Sequence, residues 1–300
     1  MTMKREDIKL GIYEKALPPG IGWEKRLAIA EKLGFHFVEI SIDETDERLA
    51  RLDWPLEERK AFCRAILESP LTVPTMCLSG HRRFPLGSHD PDTRAQALRI
   101  MEKAVRFAVD TGVRTIQLAG YDVYYEESDS DTRKWYLDNM QKCLDMAARE
   151  QVMLAMEIMD HPFMNSILKF MNMKQLLNSP WFTVYPDIGN LSAWGNDVPE
   201  ELLLGFPRIV ALHLKDTLAV TSDHPGTFKE VDFGSGCVDF PGAFSKLKEL
   251  GYAGPFLIEM WTCLLYTSDA ADEFCHGGGG GGAGGGGGRG GGGGGGGGGG

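Results

Sequence analysis

The sequence predicts an α/β protein built as a TIM (β/α)8 barrel that lacks its eighth helix, and three observations carry this reading. Eight short apolar runs alternate with longer amphipathic segments, the pattern of repeated βα units around a parallel sheet. Gly34, Gly112 and Gly251 each stand between a helical segment and the next apolar run, where helices commonly end on a left-handed residue. About 262 residues remain once an aberrant tail is set aside, a length suited to one such barrel.

In chain order, strands are expected at 8–13, 35–41, 74–79, 113–120, 152–159, 182–188, 209–215 and 255–260. Helices are expected near 22–33, 55–68, 91–111, 131–150, 172–178, 198–205 and 240–250. The eighth helix should follow residue 260, but there the sequence changes character. From Gly277 the chain is glycine, broken only by Ala283 and Arg289. Both interruptions are one base change away from a GGG glycine codon. The preceding CLLYTSDAADE, Cys263 to Glu273, resembles a translated sequencing adapter. Residues 263–300 are therefore expected to be a non-native, disordered tail with no side chains from which to build a core, and 1–262 to be the barrel domain. With Glu259 facing the barrel interior, Phe256, Ile258 and Met260 turn outward, where an eighth helix would cover them.

Without the tail's three acids and one base, the domain carries 30 basic and 39 acidic residues, net −9. That balance lacks the electrostatic footprint of a nucleic-acid binder. Cys63, Cys77, Cys143 and Cys237 are widely spaced and form no CxxC pair, so they read as reduced, mostly buried thiols. The N-terminal MTMKREDIKLGIYE has no apolar signal core and no run reaches membrane-spanning length, so no membrane association is expected and the domain reads as a cytoplasmic protein. The sequence leaves a homo-oligomer open.

Catalytic groups of a TIM barrel lie at the C-terminal ends of its strands. The fifth expected strand ends at Glu157 and the sixth at Asp187; the seventh carries His213 and the eighth Glu259. Buried parallel strands are nearly continuous apolar runs, and an ionisable group inside one is costly unless paired or metal-bound. A single acid at a strand end reads as a cap or an ion-pair partner. Four in consecutive strands, with oxygen ligands and one imidazole, point instead to a divalent cation: Mn²⁺, Mg²⁺, Co²⁺ or Zn²⁺. Such a cation makes the C–H beside a chelated carbonyl acidic. Glu157 and Glu259 then form the natural pair for taking a proton from one face of a carbon and returning one to the other, while Asp187 and His213 hold the ion. Two bases invert a stereocentre, whereas one base shuttling between carbons interconverts aldose and ketose.

LGIYEKALP, FVEISIDETDERLARLDW, PTMCLSGHRRFPLGS, QLAGYDVYYEE, LAMEIMDHPFMNS, YPDIGNLSAWGNDV, HLKDT and FGSGCVDF together resemble the L-ribulose-5-phosphate 3-epimerases. These belong to the xylose-isomerase-like barrels, beside the ketose 3-epimerases and endonuclease IV. The resemblance, running from about residue 8 to Trp261, implies interconversion of L-ribulose 5-phosphate and L-xylulose 5-phosphate in pentose or ascorbate catabolism. It also implies a metal quartet of Glu157, Asp187, His213 and Glu259. Free-sugar ketose 3-epimerases differ, carrying a histidine where this chain has Asn190 and an arginine where it has Ala219. Ser235 stands where the phosphate-sugar enzymes usually show Glu.

A phosphorylated ketopentose needs an anion site. The candidates are His81, Arg82 and Arg83 after the third strand, Lys215 after the seventh, and the backbone N–H groups of Gly234 and Gly236. The arginines read equally as ion-pair partners of helix acids, and the glycines as a tight turn. Glu14, ending the first strand, is a candidate for a substrate hydroxyl or for pairing with Lys15 or Arg82. Tyr13, Tyr121, Tyr124, Tyr125 and Trp194 are candidates to wall the pocket. Another metal-dependent ketose epimerase or an aldose–ketose isomerase on the same scaffold, and a non-catalytic sugar-binding barrel, are the alternatives. A nuclease is disfavoured by the acidic charge and the scarcity of strand-end histidines.

Overall fold

A computed structural model of the chain describes residues 8–261. The tail at 263–300 and the place of an eighth helix lie outside the described residues. Eight parallel strands are present: β1 (Leu10–Tyr13), β2 (Phe37–Ile42), β3 (Thr75–Leu78), β4 (Thr115–Leu118), β5 (Met153–Glu157), β6 (Phe182–Tyr185), β7 (Leu212–Leu214) and, after a β8–β9 hairpin (Leu218–Val220 and Pro225–Thr227), β10 (Phe256–Ile258). They pair in the order β6-β5-β4-β3-β2-β1-β10-β7. Parallel bridges Val184–Ile209 and Asp187–His213 join β6 to β7, so the sheet closes into a barrel.

Helices cover the outside: α1 (Trp23–Lys32), a short α2 (Asp46–Leu49), α3 (Leu56–Leu67), α4 (Pro91–Thr111), α5 (Ser130–Arg149), α6 (Ile167–Leu176), a short α7 (Ile188–Ala193), α8 (Val198–Gly205) and α9 (Phe240–Glu249). Strand alternation sorts the core into two layers. Outward residues such as Ile40, Met76, Ile116, Met156 and Val184 merge with the helix faces in one large apolar cluster. Inward residues form smaller groups, Tyr13, Phe37, Cys77 and Leu257 in one and Ala155, Tyr185 and Ala211 in another. Gly11 is dictated by this interior, because a Cβ there would lie 2.3 Å from the Phe37 ring.

Gly34, Gly112 and Gly251 have φ of 84°, 81° and 70°, the left-handed conformation expected of helix ends. The expected helix at 172–178 instead spans Ile167–Leu176. Its start is set by the Ser166 cap and by Glu201, whose carboxylate accepts from the Ile167 and Leu168 N–H groups. Phe256 does not lie open as the outward alternation suggested. It is 3% exposed because the rings of Phe244 and Tyr252 pack on it at 5.6 and 5.4 Å, whereas Met260 is 47% exposed. The four cysteines among the described residues are unpaired; Cys77 and Cys143 are buried, Cys63 is half-buried and Cys237 is exposed. No helix among the described residues is long and apolar enough to cross a membrane.

Candidate active site

The strand order places β5, β6, β7 and β10 side by side. Glu157 ends β5, Asp187 follows β6 as the N-cap of α7, His213 lies in β7, and Glu259 follows β10. One ligand atom from each lies within 4.8 Å of the others. His213 Nδ1 is 3.2 Å from Glu157 Oε1, 3.7 Å from Glu259 Oε2 and 3.8 Å from Asp187 Oδ2. Asp187 divides its oxygens: Oδ1 accepts from the Asn190 N–H at 2.8 Å, capping α7, and Oδ2 faces the cluster. The two glutamates occupy the ends of this arc, with Asp187 and His213 between them.

Lys215 Nζ donates to Glu259 Oε2 at 2.7 Å and lies 2.9 Å from Asp187 Oδ2. The second contact is an ion pair without hydrogen-bond alignment, since Asp187 Oδ2 has no hydrogen-bond partner among the described residues. Three carboxylates face one ammonium and one imidazole, an excess of negative charge even with His213 protonated, in a site where Glu157, Asp187 and His213 are at most 5% exposed. Burial pushes the Glu157 carboxyl up and that of Asp187 up to about 7, against the pull of their cationic neighbours. Burial also opposes ionisation of Glu259, but Lys215 and His213 outweigh it and hold that carboxyl at about 2. A buried, oxygen-rich, anionic cluster with one imidazole fits a divalent cation, which would offset the charge that burial penalises.

The cavity beside the cluster is lined by Glu157, Glu259, Lys215 and Asn190, together with Lys15, Arg82, Lys229, Tyr13, Tyr121 and Trp261. Asn190 was noted in the sequence only as a departure from the free-sugar enzymes. Here its Nδ2 donates to the Ile158 carbonyl at 2.8 Å, and its buried Oδ1 has no partner among the described residues. Arg82 donates through Nε to the Tyr121 hydroxyl at 3.2 Å and covers the Tyr124 ring at 4.7 Å. Lys229 sits 5.0 Å over the Trp261 ring. Neither Lys15 nor Lys229 stood among the candidates for the anion site; Lys15 lies in the 3-10 turn after β1 and Lys229 in the loop after β9, and the folded barrel brings both to one cavity.

Other sequence candidates are placed elsewhere. Both Glu14 oxygens are taken by guanidinium groups, Oε1 by Arg26 at 2.8 Å and Arg48 at 2.5 Å, Oε2 by Arg51 at 2.8 Å. His81 is buried with Nε2 3.1 Å from the Ala97 carbonyl, and burial lowers its pKa to about 4, so it offers no cation at neutral pH. Arg83 turns to solvent and pairs with Asp46 at 2.6 Å. The N–H groups of Gly234 and Gly236 donate to Asp216 Oδ2 at 2.8 and 3.0 Å, and a Cβ on Gly236 would lie 2.1 Å from Asp216 Oδ1. That turn is wrapped around a protein carboxylate. Ser235 hydrogen-bonds Asp232 on the same exposed turn, and Ala219 lies in the β8–β9 hairpin. Trp194 stacks near Phe228 at 6.0 Å, and Tyr125 is 69% exposed.

The fold and this cluster define a TIM barrel with a candidate metal site at the C-terminal ends of four adjacent strands. The model of the xylose isomerase-like TIM barrel family matches residues 27–273. Over 260 residues the chain is 58% identical to L-ribulose-5-phosphate 3-epimerase UlaE of Escherichia coli (strain SMS-3-5 / SECEC), covering 87% of this chain and 89% of that one. It is also 58% identical over 254 residues to the putative L-ribulose-5-phosphate 3-epimerase SgbU of Escherichia coli (strain K12), covering 85% and 89%. A solved L-ribulose 3-epimerase shares the fold with a TM-score of 0.66 at 18% identity, over 89% of this chain and 86% of that one. The chain belongs to the xylose isomerase-like TIM barrel family and, within it, to the L-ribulose-5-phosphate 3-epimerases.

Proposed function

We propose that this chain inverts C3 of a phosphorylated ketopentose, interconverting L-ribulose 5-phosphate and L-xylulose 5-phosphate in the cytoplasm, with residues 1–262 as the working barrel and 263–300 as non-native sequence. The observation that carries the reading is the placement of Glu157 and Glu259 at the two ends of the arc, with Asp187 and His213 between them. A divalent cation held by these four residues would polarise the C2 carbonyl and acidify the C3–H. One glutamate takes the C3 proton, and the other delivers a proton to the opposite face of the planar enediolate. Lys215 keeps Glu259 ionised and ready to accept. Asn190 Oδ1 offers a fixed acceptor for a substrate hydroxyl, since its amide donor is spent on Ile158. Tyr13, Tyr121 and Trp261 wall the cavity against water.

The product separates this reading from an aldose–ketose isomerase: L-ribulose 5-phosphate should give L-xylulose 5-phosphate, and appearance of an aldopentose 5-phosphate would overturn it. Asp187→Asn and His213→Ala are expected to weaken Mn²⁺ affinity, measured by calorimetry, with activity partly restored by excess Mn²⁺. Full metal occupancy without turnover in either variant would give these residues more than a holding role.

The 5-phosphate is assigned to the cavity mouth, where Arg82, Lys15 and Lys229 converge. Arg82→Ala should raise KM for L-ribulose 5-phosphate about 10- to 100-fold, as expected for a charged contact worth roughly 1.5–3 kcal/mol. It should change KM for free L-ribulose far less, and Arg83→Ala should leave both near wild type. An equal loss on both sugars in Arg82→Ala would remove the phosphate assignment.

A further inference from the structure

Beneath the cluster, the barrel interior holds a carboxylate that the sequence reading passed over. Glu39 points inward from the middle of β2, fully buried. The strands also bury the polar residues Thr75, Gln117 and Thr183, whereas most such barrels fill their interior with branched apolar side chains. Neither Glu39 oxygen has an aligned hydrogen-bond partner among the described residues, and neither does His213 Nε2. These two orphans face one another, Glu39 Oε1 lying 3.5 Å from His213 Nε2. The other ring nitrogen, Nδ1, points at Glu157, Asp187 and Glu259. The imidazole therefore bridges the carboxylate cluster above and a single buried carboxylate below.

We infer that Glu39 is a positioning residue: it accepts the Nε2–H of His213 and so holds the ring in the tautomer whose unprotonated Nδ1 faces the cation site. The inference rests on reading the four-residue cluster as a metal site. The two ring nitrogens of a neutral histidine cannot both be acceptors, and the hydrogen bond made by one decides which is available to a metal. Metal-binding histidines generally donate their other N–H to a carboxylate or carbonyl, and loss of that partner weakens metal affinity about 10- to 100-fold. An uncompensated carboxylate in a barrel interior is otherwise a cost with no return, which is why a role through His213 accounts for a glutamate at this position.

The test combines ¹⁵N-histidine NMR with Zn²⁺ affinity, Zn²⁺ serving as a diamagnetic probe, on the full chain as wild type, Glu39→Gln, Glu39→Leu and His213→Ala. The His213→Ala spectrum assigns the His213 signals. With Zn²⁺ bound, wild type is expected to show His213 coordinated through Nδ1 and protonated at Nε2. Glu39→Leu is expected to lose about 10- to 100-fold in Zn²⁺ affinity and to show a second Zn²⁺-bound population coordinated through Nε2. Glu39→Gln, which keeps an acceptor oxygen in the same place, should recover part of both. Zn²⁺ coordination of wild-type His213 through Nε2, with Nδ1 protonated, would overturn the inference without any variant having to fold. So would Glu39 variants that bind Zn²⁺ as wild type does while His213→Ala does not. If wild type and His213→Ala bind Zn²⁺ equally, the metal-site reading itself fails, and the inference falls with it.

Discussion

Glu157→Gln and Glu259→Gln are each expected to lose at least about 100-fold in turnover, the lower range of a general acid–base contribution, while the barrel stays folded. Each amide keeps the size of the carboxylate but accepts no proton at neutral pH. An epimerase that works from two faces fails when either face is lost. Both residues are also expected ligands, so metal content must be measured beside kcat. Loss of turnover at full occupancy assigns the loss to proton transfer, whereas loss in step with the metal assigns it to binding. Retention of more than about a hundredth of wild-type turnover by either variant would remove that glutamate from the proton-transfer pair.

The second large effect is on stability. Glu14→Ala should destabilise the barrel by about 3–5 kcal/mol, the cost of breaking a buried ion pair, and lower Tm by roughly 6–20 °C for a domain of this size. Glu14 is fully buried and pairs with Arg26, Arg48 and Arg51 at once. Removing it leaves three guanidinium groups, two of them less than 10% exposed, facing one another. Burial opposes its ionisation, but the arginines prevail and hold its carboxyl below the ordinary range. Its folded pKa being lowered, its contribution is complete above the ordinary carboxylate range and is lost as the pH falls through the lowered value. In the Ala variant that part of the acid dependence should disappear. A stable Glu14→Ala protein with an altered KM would instead restore Glu14 as a substrate contact.

The barrel was legible because each strand is apolar and each helix amphipathic, and all eight parallel strands lie where the runs predict them. The metal quartet was legible for a related reason: Glu157, Asp187, His213 and Glu259 interrupt runs that should be apolar. Glu39 and Gln117 interrupt β2 and β4 in the same way. They sit below the strand ends on which attention was fixed, so the alternation held a signal that went unread. The phosphate candidates were less legible because an arginine or a glycine N–H says nothing of its partner. Arg83 goes to Asp46, His81 to Ala97, and the glycine turn to Asp216, all distant in sequence. The α6 boundary was missed for the same reason, since Glu201 caps it from another helix.

The central claim is that two carboxylates act on opposite faces of C3, and proton NMR of L-ribulose 5-phosphate in D₂O with enzyme and Mn²⁺ at catalytic, sub-broadening concentration tests it most directly. The account predicts that L-xylulose 5-phosphate forms with solvent deuterium at C3, C1 keeps both protons, and chelation of the metal stops the exchange. Deuterium entering at C1, or epimerisation with no deuterium at C3, would contradict it.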